Sequence, residues 1–367
     1  MTTTRAAVQT AAEELELRDL DVPDSVSGGE ALVRVEGCGI CGADYERYVG
    51  EMDDSGLFEY PVVLGHEPVG VVEEIGADAG DRWGVDAGDR IAIEPFAPCG
   101  VCEHCTRGEY TICDQRFIYG TTSLSVGAGI WGGFAEQMLL RPGTVVHQLS
   151  HDVSVEDATF FNPLGAGFEW VCRAGGAEVG DSVLVMGPGQ RGLSAVIAAA
   201  ESGCGPIVSS GLAADAERLA IADAFGATHT VDVATESLVD RIDDITDGRG
   251  VDVVVDTTPG ATEAVVDAIE AVRPGGTVVL AGTKGMREVE GFVSDKVVFD
   301  NVSIEGTLGT RAWSFERAID VIESGRYDLD RLHSHTLGLA DLERAIQLQG
   351  GDADEDAFHI TITPNDD

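Results

Sequence analysis

The sequence predicts an α/β protein in which a doubly wound parallel sheet is joined to a β-rich domain carrying a cysteine lobe. Three observations predict it. From about Gly165 onward short apolar runs alternate with helical stretches; residues 1 to about 160 read instead as short strands and loops; and four of the eight cysteines crowd into fifteen residues.

In the first half, 30–36, 69–75 and 90–93 are alternating or β-branched segments bounded by glycine or proline, the pattern of a mostly antiparallel sheet. In the second half, 182–186, 206–210, 228–233, 251–256, 277–281 and 302–305 are strand candidates. Helical stretches 193–202, 216–225 and 261–272 lie between several of them, as buried parallel strands require. The tail from Arg311 is mixed, with helices expected at 314–324 and 339–349.

Cys99, Cys102, Cys105 and Cys113 follow the pattern C-x2-C-x2-C-x7-C. Thiolates at two-residue gaps pair poorly as disulfides but converge readily on one tetrahedral ion, with Gly100 and Gly108 supplying the turns. An iron–sulfur cluster is the rival, but its bacterial run continues with C-x3-C-P, and the long final gap favours structural zinc. Such a site is closed, so any chemistry lies elsewhere.

Gly187-Pro188-Gly189-Gln190-Arg191-Gly192 matches G-x-G-x-x-G, follows an apolar strand and opens a helix. In that context the three glycines allow a tight turn, close backbone approach to a pyrophosphate, and helix-on-strand packing. The next strand ends in Ser209-Ser210-Gly211 with no acid until Asp215, so nothing here bars a 2′-phosphate; Arg218 is the nearest base, and NAD and NADP both remain open.

Cys41 in Gly39-Ile40-Cys41-Gly42-Ala43-Asp44 and the turn Gly65-His66-Glu67 bring a cysteine, a histidine and an acid from separate loops. Three such donors suit an open zinc site with one position left for water or substrate.

Together, G-I-C-G-A-D at 39–44, G-H-E-P-V-G-V-V at 65–72, G-D-R at 88–90, the cysteine lobe, G-P-G-Q-R-G at 187–192, V-R-P-G-G at 272–276 and the closing His335 with Leu342 and Ala345 resemble the zinc-dependent medium-chain alcohol and polyol dehydrogenases over nearly the whole chain. The resemblance implies a GroES-like catalytic domain at 1–163 and 309–367, with its zinc lobe at 95–116, and a Rossmann domain at 164–308. It implies two zinc ions per chain, NAD or NADP, and a homodimer or homotetramer. By the same resemblance Cys41, His66 and Glu67 hold the catalytic zinc, and Asp44 orients the histidine. Asn162, in N-P-L, stands where the family has its remaining cysteine or acid, and is expected to hold a water. Ala43 stands where the family has the hydroxyl that receives the alcohol proton; Tyr45, Glu46 and Glu169 are candidate substitutes. The implied activity is hydride transfer from a secondary alcohol, polyol or sugar. The alternatives are a simple-alcohol or threonine-type dehydrogenase, or a nucleotide-binding relic. A zinc-free reductase of the same superfamily normally lacks both zinc motifs.

The chain carries 65 acids against 23 bases, a formal charge of −42, with Lys284 and Lys296 the two lysines. Nucleic acid and anionic membrane surfaces are repelled by such a field. No apolar run reaches membrane-spanning length, residues 1–14 do not read as a leader, and the cysteine spacing suits a reducing cytoplasm. The composition resembles that of haloarchaeal proteins: molar salt shortens the screening length to about 3 Å and removes most of the self-repulsion. Thermal unfolding followed by circular dichroism is therefore expected to move to lower temperature on dialysis from molar to millimolar KCl; an unchanged midpoint would contradict a salt-rich setting.

Overall fold

The computed structural model describes all residues except 1, 54, 55, 57, 58, 353, 354, 366 and 367. It divides into two compact units, 1–162 with 319–367, and 163–318. The second division falls inside the Ala312–Ser324 helix, whereas the resemblance implies 308/309.

The first unit is built around the strand Ala31–Gly39. It pairs antiparallel with Pro68–Ile75, Gln137–Leu140 and His359–Ile362, and the sheet continues outward through Arg90–Ile93 and Val146–Gln148 on one side and His333–Leu337 on the other. Val33, Val35, Ile91, Ile93, Met138, Leu140, Ile360 and Ile362 are fully buried in one core. Each side chain of this kind contributes about 1.5–3 kcal/mol relative to exposure. A second sheet joins Thr3–Ala11 to Glu14–Asp21 and to Val62–Val63.

Register places the candidate donors. Cys38, near the end of one strand, sits opposite Pro68, the first residue of the next, and Gly39 pairs with Thr361. Cys41 therefore leaves the same sheet edge at which Glu67 enters, with the His359 strand alongside.

The second unit is a six-stranded parallel sheet in the order His229–Asp232, Ile207–Gly211, Val183–Met186, Val251–Asp256, Val272–Leu280, Ser303–Gly306. The chain starts at Val183–Met186 and winds first to one side, then to the other, so the glycine turn after Met186 lies at the switch point of the sheet. The helices Gln190–Glu201, Ala216–Ala224 and Glu263–Ala271 follow their expected segments closely.

Some elements differ from the sequence reading. The expected strand 277–281 begins at Val272, because Pro274-Gly275-Gly276 is absorbed by a register shift rather than breaking the ladder. The acidic strand Glu14–Asp21 alternates too weakly in hydropathy to stand out, and the tail strands His333–Leu337 and His359–Ile362 were masked by polar and histidine residues. Among the described residues no helix is long and apolar enough to cross a membrane.

Asp252 closes the foot of the parallel sheet. It accepts hydrogen bonds from the Ser182 amide and hydroxyl at 2.8 and 2.6 Å and pairs with Arg249 at 2.9 Å and Arg273 at 2.5 Å. Burial alone would raise its pKa, but the Ser182 and arginine hydrogen bonds outweigh it and hold the carboxyl well below the usual range. Asp252→Asn is expected to cost about 2 kcal/mol at neutral pH in denaturant titrations. A group depressed on folding stabilises above its unfolded pKa of about 4 and loses that contribution as pH falls further, so the gap between variant and wild type should close below about pH 4.

Candidate metal centres and nucleotide turn

The four-cysteine lobe is a loop with one short helix, Glu103–Thr106, and a single helical turn at Tyr110–Ile112. Gly100 and Gly108 have φ of +73° and +80°, the left-handed region where side chains are strained. Sγ of Cys99 is 3.9 Å from that of Cys105, and Cys102 is the same distance from Cys113. Disulfides need about 2.05 Å. A tetrahedron with bonds of about 2.3 Å has edges of about 3.8 Å, so the spacing fits an ion. Backbone N–H groups of Cys99, Cys102 and Cys105 donate to Cys113, Cys99 and Cys102 at 3.4, 3.4 and 3.5 Å. The donation from Cys105 leads the effects that bring the Cys102 thiol down to about 6, favouring the thiolate that a metal needs.

The second cluster joins Cys41, His66 and Glu67, all buried, with one donor atom from each within 4.8 Å of the others. Cys41 is the N-cap of the helix Gly42–Tyr48, and its N–H donates to Asp44 Oδ2 at 3.0 Å. The other oxygen of Asp44 lies 3.1 Å from His66 Nδ1 and 3.4 Å from Arg47 Nη1. Arg47 Nη1 stands 3.1 Å from the same nitrogen, so Nδ1 is held between the carboxylate and the guanidinium, and Nε2 is the ring nitrogen left toward the donor set. The His66 ring also hydrogen-bonds with Cys41. Burial would push the imidazole down, but the Asp44 carboxylate outweighs it and raises His66 to about 10. Asp44 is itself lowered: burial opposes this, and His66 and Arg47 overcome it.

Close packing dictates the local sequence. Gly65 has φ +93°, and a Cβ there would stand 2.7 Å from the Phe134 nitrogen. A Cβ on Gly39 would stand 2.7 Å from Glu67 Oε2. Two buried carboxyls, Asp44 and Glu67, share this region with Arg47 and His66, the two cations that offset Asp44, while Cys41 and Glu67 lie with His66 in the donor set. The donor set suits a divalent ion, with three protein donors rather than four.

The nucleotide turn behaves as its glycines demand. Gly187 has φ +90°; a Cβ on Gly192 would lie 1.9 Å from the Gly187 oxygen; a Cβ on Gly189 would meet nothing within 4 Å. That open space, at the N-terminus of the twelve-residue helix Gln190–Glu201, fits a pyrophosphate. Gln190 is buried, the Arg191 guanidinium lies over Trp170 at 5.9 Å, and Arg218 is 3.9 Å from Asp215. Gly211 packs against Pro188, where a Cβ would come within 2.8 Å.

The remaining expected residues are placed as follows. Asn162 is buried in the helix Phe161–Phe168. Glu169 accepts hydrogen bonds from Arg311 and from the Ser314 hydroxyl, which occupy its carboxylate. The Tyr45 hydroxyl donates to Asp352 at 2.5 Å, and that bond leads the effects that push it up to about 12. His335 lies 3.4 Å from Glu355. Sequence reasoning missed Arg47, three residues after Asp44 on the same helix face, and the buried His359, whose signal is a lone histidine in an apolar strand.

Two family models match. One, described as the alcohol dehydrogenase GroES-like domain, covers residues 27–151, and the other, described as zinc-binding dehydrogenase, covers residues 192–324. A protein from Mycobacterium tuberculosis H37Rv named as an alcohol dehydrogenase is 42% identical over 98% of both chains. The erythritol/L-threitol dehydrogenase of Mycolicibacterium smegmatis is 30% identical over 94% of this chain and 93% of its own. Among solved structures, a zinc-binding dehydrogenase from Sinorhizobium meliloti 1021 bound to NADP superposes with a TM-score of 0.85 at 26% identity, covering 99% of this chain and all of that one.

Cys105→Ser is expected to lower bound zinc by one ion per chain, measured by elemental analysis. The loss of about 2–3 kcal/mol should bring the melting temperature down by roughly 5–10 °C in calorimetry.

Proposed function

The chain belongs to the zinc-dependent medium-chain dehydrogenase/reductase family, and from that premise we propose that it oxidises a secondary alcohol, polyol or sugar to the carbonyl compound and delivers the hydride to NAD or NADP. The observation that carries this reading is the buried three-donor set of Cys41, His66 and Glu67, separate from the closed set of four cysteines. The unit 1–162 with 319–367 is assigned the catalytic role, and 163–318 the dinucleotide.

When bound, zinc supplies Lewis acidity that polarises the substrate oxygen, and the nicotinamide accepts the hydride. Cys41, His66 and Glu67 are the residues assigned to hold the ion. Asp44 keeps the His66 ring in one orientation, and Arg47 compensates the Asp44 charge. Asn162, a neutral amide, is assigned to position a water. Gly187, Gly189, Gln190, Arg191 and Gly192 are assigned to the pyrophosphate turn. Gly211 and Arg218 are assigned to the adenosine ribose, where the link between Arg218 and Asp215 tempers its charge toward a 2′-phosphate.

A carboxylate in the donor set supports hydroxyl-rich substrates ahead of simple alcohols or threonine-like amino alcohols, and relatives with alcohol, polyol and threonine dehydrogenase names mark the range of substrates to test. Ala43 and Asn162 favour a second reading, a catalytically impaired nucleotide binder. Against it stands a buried donor set with its orienting Asp44 intact. The last strand of the parallel sheet, Ser303–Gly306, and exposed Val298 and Phe299 beside it support association of two or more copies.

Elemental analysis should find two zinc ions per chain in the enzyme and one in Cys41→Ser. A panel of polyols, sugars and alcohols, run in molar KCl with each coenzyme, should show a preference for vicinal diols; one zinc and no turnover in the unaltered protein would establish the impaired reading instead.

A further inference from the structure

Alcohol oxidation releases one proton for every hydride transferred, and a buried site needs a way to discharge it. Ala43 carries no group that can exchange a proton, Glu169 is held by Arg311 and Ser314, and Tyr45 is committed to Asp352. His359 is among the buried titratable groups that have no part in the chemistry described so far. His359 is fully buried on the strand beside Gly39, and its Nε2 makes no hydrogen bond. A buried acceptor left bare in this way is rare and costly.

Its position is informative. A Cβ on Gly39 would stand 2.7 Å from Glu67 Oε2 and 3.3 Å from His359 Nε2. Those two legs cap the separation of the two atoms at about 6 Å, a gap that one bridging water spans. The His359 ring is stacked on Phe160 with centroids 3.9 Å apart, which fixes its plane. Its other nitrogen, Nδ1, lies 3.4 Å from Nδ1 of His333. His333 Nε2 is 2.9 Å from the Thr336 hydroxyl, and Thr336 donates to Glu156 Oε1 at 3.1 Å, at the exposed end of the series.

The donor directions fall into one order. Glu156 is an acceptor, so Thr336 donates to it and accepts from His333 Nε2–H. A neutral His333 then has a bare Nδ1, which accepts from His359 Nδ1–H. A neutral His359 is left with its lone pair on Nε2, within about 6 Å of Glu67 Oε2. Burial lowers the pKa of both rings, His359 well below the usual range, with His333 adding to that effect, so both are neutral as this order requires.

We propose that His359, His333, Thr336 and Glu156 form a proton exit from the Cys41–His66–Glu67 site to the surface. The proposal rests on the dehydrogenase reading above. In one transit His359 Nε2 gains the released proton and Nδ1 loses its own to His333 Nδ1. His333 Nε2–H passes to the Thr336 oxygen, the Thr336 hydroxyl proton passes to Glu156, and Glu156 sheds it to solvent. One proton leaves the site, no electrons move, and each imidazole ends in its opposite tautomer; exchange of the ring protons with water restores the starting order before the next transit. His359 and His333 are positioning residues in this scheme, since neither touches substrate.

His333 is the residue to change, because it is half-exposed and lies outside the metal and nucleotide sites. His333→Ala should slow alcohol oxidation about 10²-fold, the low end for a general acid–base step. It should also raise the solvent deuterium isotope effect, keep two zinc ions, and recover rate with added imidazole; His333→Gln should be slow and resist rescue. Unchanged rate and isotope effect in His333→Ala, or a loss that imidazole does not restore, would overturn the proposal. A second measurement needs no turnover. Long-range ¹H–¹⁵N spectra of the zinc-loaded protein should show His359 protonated at Nδ1 and bare at Nε2, and His333 protonated at Nε2; the reverse tautomer at His359 would leave no acceptor at Nε2 and sink the relay. If the unaltered protein oxidises no alcohol while these tautomers are found, the dehydrogenase reading has failed and the proton wire between His359 and Glu156 stands.

Discussion

One pairing in the β-rich unit governs the rest: Cys38 lies opposite Pro68 in an antiparallel ladder. Because side chains alternate faces with a period of two, a slip of one residue would send every core side chain of Ala31–Gly39 to the wrong face. The fully buried Val33 and Val35 forbid that slip before the bulge at 35–37, and the fully buried Cys38 and Ile40 forbid it after. The loops leaving this register then bring Cys41 to His66 and Glu67, residues twenty-five and twenty-six positions further along the chain. The metal centre is thus a consequence of sheet register, and its three donors come from loops too short to choose another geometry.

Within that frame, electrostatics settles the detail. Asp44 serves three groups at once: the Cys41 amide, the His66 ring and the Arg47 guanidinium. A fully buried carboxylate is tolerable only when saturated in this way. The result is a helix start and a histidine ring orientation set by the same side chain, so the placement of Cys41 and His66 and the local fold are one property.

The strong negative charge makes the retained bases informative. Of 23 lysines and arginines, Arg47 and Arg90 are almost wholly buried, and Arg311 pairs with the buried Glu169. Lys284, one of two lysines, pairs with the buried Asp256 at 2.8 Å, at the end of the central Val251–Asp256 strand. Arg47, Arg311 and Lys284 offset buried acids, and Arg90 ties the half-buried Glu36 to the Ser150 and Val153 carbonyls. Acids on the outside are left to solvent and counterions, which accords with the stability argument from salt screening.

Much was legible in the chain alone. Metal-ligand spacing in the cysteine lobe, the glycine hexamer and the strand–helix alternation each encode local geometry, because turn glycines and short-range ligand spacing act over a few residues. Even Cys41, His66 and Glu67 could be singled out, each lying in a distinctive short motif. What the sequence could not supply was anything set by long-range pairing. The tail strand that lays His359 beside Gly39 is joined to it across more than three hundred residues, and no local pattern announces the meeting. Nor could it reveal that Glu169 is tied down by Arg311, or that Arg47 shares the Asp44 carboxylate. Local composition determined which elements form and which donors exist; register and burial decided which of those donors meet, because only packing fixes distance between residues remote in the chain.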